Sequence, residues 1–306
     1  MSDALNIWLE DIHGNEWHLS GEQAGEEGAV LEATEVIDVF DEADVKTIRD
    51  EGAFSRGSFY AGKRVMTRYP VFDVGLMDTA SQTVRQTISA WRRGWSYDAD
   101  CKLYVQDEES TRYIELRKLE KIKFSPATDY NADGIATMTM VCVSGNPFFR
   151  EDDVVDSYVT TTDTTVSGTE TGQVTIANPC DVDIWLQWIV QGGATGMIVT
   201  LPDFSFGNDE FNRATEDDDR AVILAPLQSG EVLLIDTDKL AIDGQFNSST
   251  RPSYRGLMNG VRFMYRVPAG TESTDLPIVF DNAPIGAGVQ VRAPRNWWAA
   301  QGGETP

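Results

Sequence analysis

The residues whose types and spacing could do chemistry fall into a few short runs. Asp129-Tyr130-Asn131-Ala132-Asp133-Gly134 sets side-chain oxygens at alternate positions with a glycine sixth, the opening half of a calcium-binding loop. Met140 stands where that pattern needs a bidentate carboxylate, and the flanks read as strands, so the expectation is an Asx-rich hairpin turn with calcium binding left open. Asp236, Asp238 and Asp243 cluster in LLIDTDKLAIDG, but Leu240 interrupts the ligand series; a strand followed by a turn is expected. Glu216–Arg220, EDDDR, reads as a solvated charge run. Paired carboxylates hydrolyse glycosides when their separation in space is fixed, and no spacing here singles out a pair.

Other reactive types are scarce. The two histidines, His13 and His18, lie close together near the N-terminus, which leaves little material for histidine acid–base or metal chemistry. Cys101, Cys142 and Cys180 are far apart and odd in number, so neither a disulfide framework nor a zinc pattern is expected, and Cys142 reads as a small buried hydrophobe. YAGKRV is basic but isolated, too little for a nucleic-acid patch. Trp185, Trp188, Trp297 and Trp298 have faces that stack on sugars, although strand spacing favours core or interface. The chain shows no G-x-S-x-G elbow, P-loop or dinucleotide fingerprint. No catalytic, cofactor-binding or metal residue is assigned, and the expectation is a protein that is not an enzyme and holds no cofactor.

The elements that would position these residues are mostly strands. A chain of 306 residues, 41% hydrophobic and 10% aromatic, is globular and long enough for two cores. It has no apolar run of membrane-spanning length, and MSDALNIWLEDIHG lacks a signal core, so a cytosolically made, unprocessed protein without membrane insertion is expected. Alternation predicts two strands around His13-Gly14-Asn15, a loop over 20–34, one strand over 65–76 with Pro70 at an edge or bend, and hairpins around 106–111 and 129–134. From Asp78, Val84, Ile88 and Trp91 form one apolar stripe, which predicts a helix capped by Asp78 and closed by Gly94. Beyond residue 160 short β runs, GVRFMYRVPAG among them, alternate with Gly, Pro, Asn and Asp, the rhythm of a sandwich without a helix. The tail QGGETP is expected to be loose.

Forty-nine acidic against 25 basic residues give a net charge of −24, which disfavours binding to nucleic-acid phosphates. MTMVCVSGNPFFREDD, residues 138–153, then poses a question: an apolar run stops at Asn146-Pro147, shows Phe148 and Phe149, and turns acidic near mid-chain.

That junction resembles the one in distal tail proteins of long-tailed siphovirus-type bacteriophages, where the last strand of an N-domain ends in a Pro-aromatic step. VTIANPCDVDIWLQWIVQGG, LQSGEVLLIDTD, FMYRVPAGTE and GVQVRAPRNWW follow in the family's order, as WLEDIHGNEWHLSG, GSFYAGKRVMTRYPVFDVGL and KLYV…RYIELRKL do earlier. The texture is most similar to minor tail proteins of actinobacterial phages; the acidic NDEFNRATEDDDRAV and the long 35–60 region depart from the pattern. The resemblance implies a mainly β protein with two domains. Residues 1–148 would be a tail-tube-like β-barrel or sandwich with one packed helix, and 149–306 a galectin-like β-sandwich. It implies a virion protein of the tail tip, a homo-hexamer ringing the channel for tape measure protein and DNA. Its partners would be the major tail tube protein, the tail hub or tail-associated lysin, the tape measure protein and receptor-binding proteins, with DNA passing through the ring without specific binding. Independently of the resemblance, the net charge of −24 would make the channel a like-charged wall if its acids face the lumen. The alternative is a carbohydrate-binding module for a host cell-wall glycan.

Overall fold

The computed structural model describes residues 5–52, 56–124 and 129–304. The chain packs as two compact units: one runs to Glu151 and takes back Trp297–Gly303, and the other is formed by Asp152–Asn296. The return of Trp297–Gly303 departs from a second domain running unbroken from 149 to 306, and its physical cause lies in two buried arginines described below.

The first unit contains β1 (Asn6–Glu10), β2 (Glu16–Ser20), β3 (Ala29–Ile37), β4 (Val45–Asp50), β5 (Phe59–Val65), β6 (Val71–Met77), α1 (Val84–Arg93), β7 (Cys101–Gln106), β8 (Thr111–Lys118), β9 (Lys123–Phe124), α2 (Tyr130–Asp133) and β10 (Ile135–Val143). Antiparallel pairing runs β2-β1-β7-β8-β10-β6-β3. Its two ends, β2 and β3, do not pair among the described residues, so the barrel implied by the resemblance is left open. Strict alternation does the burying: Ile7 and Leu9, Trp17 and Leu19, Leu103 and Val105, Ile114 and Leu116 all point inward.

The helix starts six residues later than its expected cap. Thr79 Oγ1 accepts from the Ser81 and Gln82 amides and holds the preceding residues in a turn. Asp78 still caps, because its Oδ1 accepts the Val84 amide across that turn. Thr83 is the extended N-cap residue, its amide donating to Gln86 Oε1 at 2.9 Å. Val84, Ile88 and Trp91 are buried as the stripe predicts. Trp91 donates from Nε1 to Met140 Sδ (3.4 Å) and meets Trp17 edge-on at 5.2 Å, so the helix fills the space between β2 and β10.

The strand expected over 65–76 starts only at Val71, as β6; Val65 ends β5, and Arg68 turns inward between them, ahead of Pro70. The loop expected over 20–34 ends at Gly28, where β3 begins.

β11 (Phe149–Val159) carries the chain into the second unit, which adds β12 (Thr169–Asn178), β13 (Gln187–Gln191), β14 (Ile198–Pro202), β15 (Ala221–Ile223), β16 (Val232–Asp236), β17 (Phe246–Ser248), the single turn α3 (Tyr254–Leu257), β18 (Thr271–Asp281) and β19 (Gly288–Trp297). Two sheets, β17-β16-β13-β19-β11 and β12-β18-β14-β15, face each other across one apolar core. Trp188, Val190, Leu233, Ile235 and Val291 come from the first sheet; Val174, Val199, Leu276, Ile278 and Phe280 come from the second. The fold is mainly β, as expected.

One expected β run is missing. GVRFMYRVPAG makes a lone bridge, Ile184 to Val267. Its amides are taken by side chains instead: Phe263 donates to Gln245 Oε1 (3.0 Å), Met264 and Tyr265 to the Asp203 carboxylate (2.9 and 3.1 Å). Side chains that satisfy a backbone this way remove its need for a strand partner.

Candidate assembly surface

Two buried arginines hold the returning segment in the first unit. Arg68, 1% exposed, donates from Nε to Pro147 O (2.9 Å), from Nη1 to Asp41 O (2.7 Å) and from Nη2 to Trp298 O (3.0 Å). Its guanidinium lies 5.1 Å from the Phe149 ring centroid, and Phe148 packs edge-on against Trp298 at 5.0 Å. The Pro-aromatic step is therefore a seal: Phe149 is buried and Phe148 meets the returning tail. Burial pushes the Arg68 pKa down while Asp38, Asp41 and Asp44 pull it back up, and an arginine stays charged through such opposition. Arg112 does the same further along, donating to Ala299 O (3.0 Å) and Gly302 O (2.8 Å) over the Trp297 ring at 3.8 Å. Gln301 adds a bond to Asp107 Oδ2 at 2.9 Å, so the start of QGGETP is pinned, contrary to the loose tail expected.

β4 and β5 behave differently. Among the described residues they pair only with each other, as a two-stranded sheet, and every residue of β4 is exposed. Phe59 and Tyr60 are 67% and 60% exposed, and as neighbours in a strand they point to opposite faces. Val45 and Ile48 are exposed as well. Residues 45–65 hold five basic residues, Lys46, Arg49, Arg56, Lys63 and Arg64, against Asp50 and Glu51, in a chain of net charge −24. An isolated hairpin in water is marginal, and this one exposes apolar groups on both of its faces.

The residues singled out for chemistry take structural places. Asp129 caps α2, accepting from the Asn131 amide at 3.2 Å, and Gly134 ends it in the left-handed region at φ 68°. The expected hairpin loop is thus a helical turn, and Met140 is buried in β10. Asp236 accepts from the Asp238 amide (2.9 Å), and Asp238 from Leu240 (2.8 Å); burial raises the Asp236 pKa. Asp217 is no solvated charge: it is buried, bonded by Arg213 (2.9 Å) and the Tyr265 hydroxyl (2.6 Å), and these donors lower its pKa. Burial and that carboxylate push the Tyr265 phenol up to about 12.

His18 Nδ1 sits 3.0 Å from Glu27 Oε1, and His13 Nε2 is 3.2 Å from Arg93 O. All three cysteines are buried, and burial pushes the Cys101 thiol up to about 12. Trp188 and Trp297 are buried and offer no stacking face. Among the described residues no group of three or more His, Cys, Asp or Glu side chains converges to hold a metal. No helix among them is long and apolar enough to cross a membrane.

Sequence reasoning missed Arg68, Arg112 and the hairpin's apolar residues. The available signals were an arginine inside the apolar VMTRYPVF and the aromatic pair Phe59-Tyr60 next to Lys63-Arg64.

The described residues have the fold of a distal tail protein. SPP1 Dit (gp 19.1), a hub adsorption apparatus protein of phages that infect Gram-positive bacteria, superposes with a TM-score of 0.53 over 95% of this chain and 98% of its own, at 11% identity. No family model matches the chain. The minor tail protein Gp27 of Mycobacterium phage D29 is 30% identical over 335 aligned positions, covering 95% of this chain and 96% of the relative. Its counterpart in Mycobacterium phage L5 is 28% identical with the same coverage. The chain belongs to this family of mycobacteriophage minor tail proteins: it is a structural protein of a phage tail, and its place is the virion.

Proposed function

We propose that the protein closes into a ring of six copies at the distal end of the tail tube. The ring joins the tube to the tail-tip hub and surrounds the channel taken by the tape measure protein and DNA. The observation that carries this reading is the β4–β5 hairpin, basic and apolar on both faces in an otherwise strongly acidic chain. Such an arm is complementary to the body of a neighbouring copy, and head-to-tail use of one arm and one acceptor surface generates a closed ring when the rotation closes. The number six follows the resemblance to distal tail proteins. In this reading residues 1–148 form the ring, the second unit stands as the galectin-like domain that meets other tip proteins, and the work is geometric, with no bond made or broken.

The test is imaging and native mass spectrometry of the purified protein. Six-fold rings are expected, and they loosen as salt is raised because charge holds the arm. Phe59→Asp with Tyr60→Asp should leave folded monomers. Rings that persist in that variant, or a wild-type protein that stays monomeric at tens of micromolar, sink the reading.

A further inference from the structure

The second unit carries a surface with the opposite chemistry to the hairpin. On the outer face of its first sheet, Ile189 of β13 lies beside Leu234 of β16, and Leu234 beside Asn247 of the short edge strand β17. One step along, Asp236 and Arg292 flank Gln187. The loop 238–244 borders this face and completes a groove of about 730 Å³. Two aliphatic side chains of that loop stand in solvent: Leu240 is 79% exposed and Ile242 fully so, while Leu234 is 48% exposed. Asp236, Asp238 and Asp243 line the same groove. Its nearby cations are engaged, Arg292 with Asp153 at 3.7 Å and Lys239 with Glu210.

We propose that this groove docks a segment of another tail protein whose aliphatic side chains are flanked by lysine or arginine. Leu240, Ile242 and Leu234 supply the apolar anchors; the three aspartates supply a rim that a cationic flank neutralises. A glycan fits the surface less well. Its aromatic residue, Trp188, is 1% exposed with its ring in the core, so no stacking platform is presented. A second copy docking through the same face would set aspartate against aspartate. The inference concerns a partner of the second unit and does not depend on how many copies form a ring.

The test compares purified virions with free protein by hydroxyl-radical footprinting and by zero-length carboxyl-to-amine cross-linking. Leu240 and Ile242 should be protected from oxidation in the virion, with Asp238 or Asp243 joined to a lysine of a different virion protein. The double variant Leu240→Asp, Ile242→Asp should keep its melting temperature and bind a synthetic peptide, taken from the cross-linked segment, at least about tenfold more weakly, since two anchors are lost. Equal oxidation in virion and free protein overturns the proposal. So do cross-links to Lys46 or Lys63 of a second copy, which would seat a hairpin in the groove. Protection of free protein by added cell-wall polysaccharide would assign the groove to a glycan. Protection in virions without six-fold rings would leave this inference standing and the ring reading fallen.

Discussion

β4–β5 and β12–β18 are both antiparallel strand pairs, one in each unit, and they place apolar side chains in opposite surroundings. In the second pair Val174, Ile176, Leu276, Ile278 and Phe280 are all at 1% exposure or less, facing the sandwich core. In the first, Val45, Ile48, Phe59 and Tyr60 are at 42–67%. Both ladders are held by the same backbone bonds, so hydrogen bonding does not separate them. Burial does. The β12–β18 side chains contribute to the folding of one protomer, whereas those of β4–β5 can add stability only when something else covers them.

The sharpest way to test this contrast is Phe280→Ala. The ring fills a fully buried site, so the variant should lose about 3–5 kcal/mol in urea unfolding. A loss under about 1 kcal/mol would mean that the sandwich core is not packed as described. Arg68→Ala should cost about 3 kcal/mol by stranding three carbonyls, and should speed amide exchange over 297–303. Unchanged exchange there would show that the tail is held by other contacts.

Glu170, within β12, tests the same pair through pH. Its carboxylate accepts from the Thr161 amide (2.8 Å), Tyr158 hydroxyl (2.8 Å) and Thr162 amide (2.8 Å), and the Thr161 amide heads the donors that hold its pKa down at about 2. A depressed carboxylate stabilises the fold above its ordinary pKa near 4.5 and loses that contribution as pH falls toward 2. Wild-type melting temperature should therefore drop across that window more steeply than that of Glu170→Gln; parallel curves would remove Glu170 from the account. The smallest effect belongs to the hairpin: Phe59→Asp with Tyr60→Asp should shift the stability of the monomer by no more than about 0.5 kcal/mol, while assembly is lost. A larger loss would make the hairpin part of the protomer's own fold and erase the contrast.

What could be read from the sequence follows the range of the forces involved. Alternation and the Val84-Ile88-Trp91 stripe are local, and they led to most of the strands, to α1 and to the sandwich. The misses come from bonds between distant residues. GVRFMYRVPAG has strand texture, but Asp203, some sixty positions earlier, takes its amides. Arg68 and Arg112 find acceptors at 298, 299 and 302, about two hundred positions away, which no local pattern announces. The candidate surfaces were less legible still. Exposure of Phe59 or Ile242 is a property of what does not pack on them, and no local pattern encodes it. The acidic cluster at 236–243 was visible as composition; the groove it lines required β13, β16 and β17 to be laid side by side.

The seven residues that return to the first unit also set the order of events at the ribosome. Most of that unit is synthesised before the sandwich, yet Arg68 and Arg112 must wait for carbonyls at 298, 299 and 302, made after it. The sandwich is thus a complete module nested inside an unfinished one, and a nascent chain stalled before residue 297 would carry a finished inner domain while the outer one still lacked its clasp.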